Sequence, residues 1–158
     1  MPPIPSPAIP DDGAAELSPL QAAEALARTG QEACRQHERL SRLVALGAHP
    51  EELGAAHAMV DTIDLALAEA VRTFEATCAH GTISEQADER QAANALWLAA
   101  REYLRRHSIA EKASRQLGAH DAGTLGGLHT EYELEASAML ALRHATSAFA
   151  KLRPDARA

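Results

Sequence analysis

The segment "GAHPEELGAAHAMVDTIDLALAEAVRTFEATCAHGT", residues 47–82, decides the fold. Pro50 followed by Glu51 and Glu52 is a helix start: proline gives up no needed N–H in a first turn, and the two acids suit the positive end of the helix dipole. Leu53, Ala56, Val60, Ile63, Leu67, Phe74 and Cys78 then recur at helical spacing until "HGT" ends the run. A helix with such a stripe needs other helices to cover it.

Working outward, Ser18 before Pro19 is a helix cap that opens a run to about Leu46, stopped by "GAHP". Downstream, Ser84 with Glu85 starts a third helix, whose stripe of Ala92, Leu96, Ala99, Tyr103, Ala110 and Leu117 stops at Gly118. The fourth runs from about Leu128 to Leu152, before Pro154. "DAGTLGG" at 121–127 reads either as loop or as a first turn capped by Asp121. Short connections force consecutive helices to be neighbours, so the expectation is all-α: an antiparallel up-down-up-down four-helix bundle.

Residues 1–17 carry five prolines and no periodicity, which predicts a disordered proline-rich tail before a single domain over 18–152 and a frayed end over 153–158. The similar helix lengths are compatible with a duplicated hairpin, but no convincing internal repeat stands out.

Composition agrees. The chain has 158 residues, 46% hydrophobic and only 3% aromatic, with alanine dominating the apolar set, which favours close-packed helices over a sheet. A net charge of -7 opposes binding to a phosphate backbone, and the densest basic run, "REYLRRH" at 101–107, is short and followed by Glu111. No stretch reaches membrane-spanning length and no basic-then-apolar leader is visible, so the expected home is cytoplasmic, without nucleic acid or membrane as partner. Folding the first two helices about His49 separates Cys34 and Cys78 by roughly 22 Å along the axis at 1.5 Å per residue. They read as free thiols in a reducing compartment.

Each apolar face carries polar interruptions. His37 is centred on the first helix's stripe, with Ser41 a turn later; His57 and Asp64 flank the second; Arg106 and His107 flank Tyr103 in the third. In the fourth, "HTEYELEASAML" at 129–140 places Glu135 amid the apolar positions, Glu131 beside it and Glu133 opposite. Registered through the turns, these groups fall at similar heights. An interior polar layer of His37, His57, Tyr103, Arg106, His107 and Glu135 is therefore expected, because buried charge needs partners.

Three readings of that layer differ in function. In the first, Glu135 pairs with Arg106 and the histidines with serine or backbone acceptors, which fixes the register and implies no chemistry. In the second, His37, His57, His107 and Glu135 hold a divalent metal, although the Glu-x-x-His pair of di-iron bundles and a His-x-x-x-His pair are both absent. The third is a small-molecule cavity lined by His37, His57, Tyr103, Arg106 and Glu135. The spacing of Arg101 and His107 superficially resembles the arginine-to-histidine motif of the helical HEPN ribonucleases. On one continuous helix the two lie about 120° apart and do not converge, so no membership follows.

The third helix has a second apolar line, Ala93, Trp97, Ala100 and Leu104, wider than one seam needs. Either a neighbouring helix or the tail covers it, or it is an interface anchored by Trp97, with a symmetric homodimer the first expectation and an unknown protein partner the second. The sequence thus reads as a non-enzymatic, self-associating interaction or scaffold module, with a bundle binding a metal or small ligand as the alternative.

Overall fold

The computed structural model describes residues 16–116 and 122–154, with side chains from Gly127 onward in the last helix. It is a four-helix all-α bundle: α1 (Pro19–Ala45), α2 (Pro50–Cys78), α3 (Ala87–Gln116) and α4 (Ala122–Leu152). α1 lies along α2 and α3 along α4, and the two hairpins close on one another through α1 with α4, α2 with α3, and α1 with α3. The expected tail over 1–17, apart from Glu16 and Leu17, lies outside the described residues, as do Leu117, Gly118, Asp121 and positions 155–158.

Local chemistry sets the ends. Ser18 Oγ accepts from the Gln21 N–H at 3.1 Å while Gln21 Oε1 accepts from the Ser18 N–H at 2.9 Å, a capping box that satisfies two orphan donors at the start of α1. Beyond the end of α1, Gly47, whose φ of 64° lets the chain reverse, donates its N–H to the Val44 carbonyl at 3.1 Å. α2 opens on Pro50, with His49 Nδ1 accepting from the Glu51 N–H at 3.3 Å.

α3 starts at Ala87, later than the Ser84 signal, because Ser84 Oγ accepts from the Gln86 N–H at 3.1 Å and donates to Glu89, so it organises the turn ahead of the helix. α4 starts earlier than Leu128: "AGTLGGL" is helical despite its glycines.

The core fills one end of the bundle. Leu26, Leu67, Leu96, Tyr103, Leu142, Phe149 and Thr146 are the largest sealed side chains. Each fully buried aliphatic or aromatic group contributes about 1.5–3 kcal/mol. Ala22, Ala23, Ala33, Ala93 and Ala100, all at most 1% exposed, let the helices approach closely. This apolar cluster runs through α1 as far as Cys34, α2 from Leu67, α3 up to Tyr103 and α4 from Ala138. Beyond Tyr103 the interior turns polar and opens.

Candidate functional site

The polar layer centres on Asp64. This carboxylate stands on the buried stripe Ala56, Val60, Asp64, Leu67, Val71 and Phe74 of α2, and its side chain is 8% exposed. Tyr103 Oη donates to Asp64 Oδ2 at 2.8 Å, and His37 Nε2 lies 3.2 Å from both carboxylate oxygens and 2.5 Å from the phenol oxygen. His107 Nε2 reaches Asp64 Oδ2 at 3.5 Å, while its Nδ1 faces Glu135 Oε1 at 2.6 Å. Four helices thus supply one group or more each. The Tyr103 and His107 rings stack at 5.8 Å, and His37 meets both edge-on, at 5.4 Å and 6.0 Å.

The electrostatics follow from burial. The hydrogen bond that His107 donates to Glu135 holds the His107 pKa above the ordinary histidine value; burial opposes this, and the Asp64 charge adds to it. A protonated His107 donating from both nitrogens fits that position between two carboxylates. Burial, reinforced by the Asp64 charge, pushes the Tyr103 phenol far up, so it stays a hydroxyl donor. Burial also raises both thiols, Cys34 and Cys78, which are free.

Above this layer a cleft of about 770 Å³ opens between the ends of the helices. Leu40, Val44, Val60, Ala110 and Tyr132 form its apolar walls; His37, His107 and Glu135 lie at its floor; Asp61, Glu111, Arg115, Ser41 and Ser114 stand around them. A smaller groove of about 380 Å³ between α1 and α4 shares His37, Ser41, Tyr132 and Glu135 with it.

The sequence expectations fare unevenly. His37, Tyr103, His107 and Glu135 come together. Arg106 does not join Glu135: its Nε binds Glu102 Oε1 at 2.8 Å and its Nη1 stands 3.9 Å from Glu131, because a residue one position before His107 sits about 100° around the helix. Glu131 Oε2 is buried without a hydrogen-bond partner. His57 is exposed on the cleft wall, one residue past the buried Ala56. Glu133 faces outward and pairs with His129 at 3.2 Å.

Among the described residues no group of three or more His, Cys, Asp or Glu is arranged to hold a metal ion, His37, His57, His107 and Glu135 included. The ring nitrogens at the layer's centre point at protein oxygens rather than at a common vacant point.

The second line on α3 is largely internal. Ala93 and Ala100 are 0% exposed within the chain itself, so they cannot meet a partner; they belong to the buried core. Trp97 is half-buried, donating from Nε1 to Glu75 Oε1 at 2.9 Å beneath the Arg101 guanidinium, 5.0 Å from the ring, and Leu104 is half-buried as well. Arg101 also faces Glu75 at 3.5 Å on an unbroken α3, away from His107, so the ribonuclease spacing builds no site.

Sequence reading sets Asp64 at the flank of its stripe and leaves it out of the layer. Its signal is the spacing of Val60, Asp64, Leu67 and Val71, which centres the stripe one residue beyond Ile63. No helix among the described residues is long and apolar enough to cross a membrane. Comparison with protein-family models, curated proteins and solved structures finds no match.

Proposed function

We propose that this bundle binds a small organic molecule in the cleft above the His37, Asp64, Tyr103, His107 and Glu135 layer. The carrying observation is the cleft itself: about 770 Å³, with Leu40, Val44, Val60, Ala110 and Tyr132 offering apolar surface among polar groups from all four helices, the form of a site that holds a ligand's body and orients its head. Carboxylates outnumber cations around it, with Asp61, Glu111 and Glu135 on the cleft and Asp64 beneath, so a head that donates hydrogen bonds is favoured. A layer that served register alone needs no opening above it.

Amide NMR of the whole chain, titrated with benzylamine, 4-methylphenol and cyclohexanol, tests the reading. Saturable shifts gathered at residues 40–44, 57–61, 107–114 and 132–135, and lost in Ser41→Trp, support it. Scattered, unsaturable shifts with all three compounds remove it.

Self-association through α3 is the second proposal, supported by the partly exposed Trp97 and Leu104. Light scattering on the chain and on Trp97→Ala decides it: a dimer mass that falls on substitution supports it, and a monomer mass for both discards it.

A further inference from the structure

The two hairpins correspond residue by residue. "QAAEALARTGQEACRQH" at 21–37 and "QAANALWLAAREYLRRH" at 91–107 agree at eight of seventeen positions under a constant offset of 70. Further along, "LGAH" occurs at both 46–49 and 117–120, and an offset of 71 sets Asp64 on Glu135, Leu67 on Ala138, Val71 on Leu142 and Arg72 on Arg143. The change of offset from 70 to 71 hides the repeat from inspection of the sequence alone. Burial follows the same pairing: Ala23 with Ala93, Leu26 with Leu96, and Ala33 with Tyr103 are all sealed.

The polar layer is therefore two copies of one device. In each hairpin a histidine of the first helix faces an acid of the second: His37 with Asp64 at 3.2 Å, and His107 with Glu135 at 2.6 Å. One substitution breaks the equivalence. Tyr103 lends its hydroxyl to Asp64 and His37, whereas its counterpart on α1, Ala33, is only a methyl and lends nothing to Glu135 and His107. By the same pairing, the ring that α1 lacks would run from α1 toward α4. Ala33 itself is sealed, and the open space lies one residue on: a groove of about 380 Å³ lined by Cys34, Ser41, Met139 and Glu135, which shares Glu135 and Tyr132 with the larger cleft.

We infer that the ligand is a hydroxylated aromatic ring, whose hydroxyl donates to Glu135 beside His107 as the Tyr103 hydroxyl donates to Asp64 beside His37. The inference rests on the cleft being a binding site and adds the chemical class. The ring lies against Tyr132 and Met139, and the ionised Glu135 selects for the donor.

The probe is 4-methylphenol, the tyrosine side chain cut at Cβ, with 4-methylanisole as the same ring without a donor. Calorimetric titration of the full chain is expected to give 4-methylphenol about ten-fold tighter binding, the worth of one hydrogen bond to a charged acceptor. Glu135→Ala should abolish that preference, and Glu133→Ala, on the outer face of α4, should keep it. Equal affinity for the two rings overturns the inference while leaving the cleft a binding site, and so does saturation by benzylamine with none by 4-methylphenol. Failure of every compound removes inference and cleft together. The comparison of the two rings needs no variant, so a poorly folding Glu135→Ala protein does not shield the idea.

Discussion

Tyr103 donates its hydroxyl to Asp64 across the seam between α3 and α2 at 2.8 Å, and both residues are buried. Without that donor, Asp64 keeps only imidazole partners, and an under-satisfied buried carboxylate costs more than an average hydrogen bond is worth. Tyr103→Phe, which keeps the ring, should therefore lose about 1–3 kcal/mol. Urea unfolding with an unchanged slope reads this as a shifted midpoint. A loss below about 0.5 kcal/mol would mean that water or His107 replaces the phenol without cost.

His107 makes stability depend on pH in a definite direction. Its folded pKa is raised, first by the hydrogen bond with Glu135, so the fold favours the protonated ring. The contribution is fully present below the unfolded value of about 6.5, declines as pH rises, and is gone above the raised folded value. Denaturation midpoints of the native chain and His107→Gln should converge between neutral and alkaline pH. A gap that stays constant or widens over that range would reverse the assignment.

Much of the architecture is legible in the sequence because it is written in local signals: Ser18 with Pro19, Pro50 with Glu51 and Glu52, and apolar residues every three or four positions. The inward aim of Glu135 is legible for the same reason. Pairing across helices is not, since it depends on the rotation of each helix to within one residue, or 100°. That angle gives Arg106 to Glu102 instead of Glu135, while height along α2, about 10 Å over seven residues, puts Asp64 in the layer and His57 on the cleft wall. Nor can one helix report what its neighbours cover: Ala93 and Ala100 look like a free line until the rest of the core is placed around them.

Two helical glycines should respond oppositely to alanine. At Gly54 a Cβ meets nothing within 4 Å, so Gly54→Ala should stabilise by about 0.5–1 kcal/mol through helix propensity. At Gly30, by contrast, a Cβ would stand 2.9 Å from Thr146 Cγ2 and 3.4 Å from Leu142 Cδ1, where α1 crosses α4. Thr146 is sealed and its hydroxyl is held by the Arg143 carbonyl at 2.9 Å, so it yields poorly. Gly30→Ala should forfeit the gain and melt below Gly54→Ala. If both variants gain alike, the close crossing of α1 and α4 is not tight.

Arg153, just beyond α4, ties three helices at the closed end. Its guanidinium binds Glu24 Oε1 of α1 through Nε at 3.0 Å and Nη2 at 2.5 Å, and reaches Glu89 Oε1 of α3 at 3.4 Å. Glu24 is half-buried, but Glu89 is 6% exposed, with Ser84 Oγ at 2.5 Å as its other donor. Removing the cation strands that charge, so Arg153→Ala should cost about 1–3 kcal/mol, with the cost arising chiefly at Glu89. Adding Glu89→Gln removes the stranded charge while keeping the shape, and should return part of the loss in Arg153→Ala. In the native background, where Arg153 is present, the same substitution should only destabilise. This change of sign around a double-mutant cycle isolates the coupling from the packing of either side chain. Simple additivity of the two losses would show that Arg153 and Glu89 act independently and that the closed end is held by its apolar contacts alone.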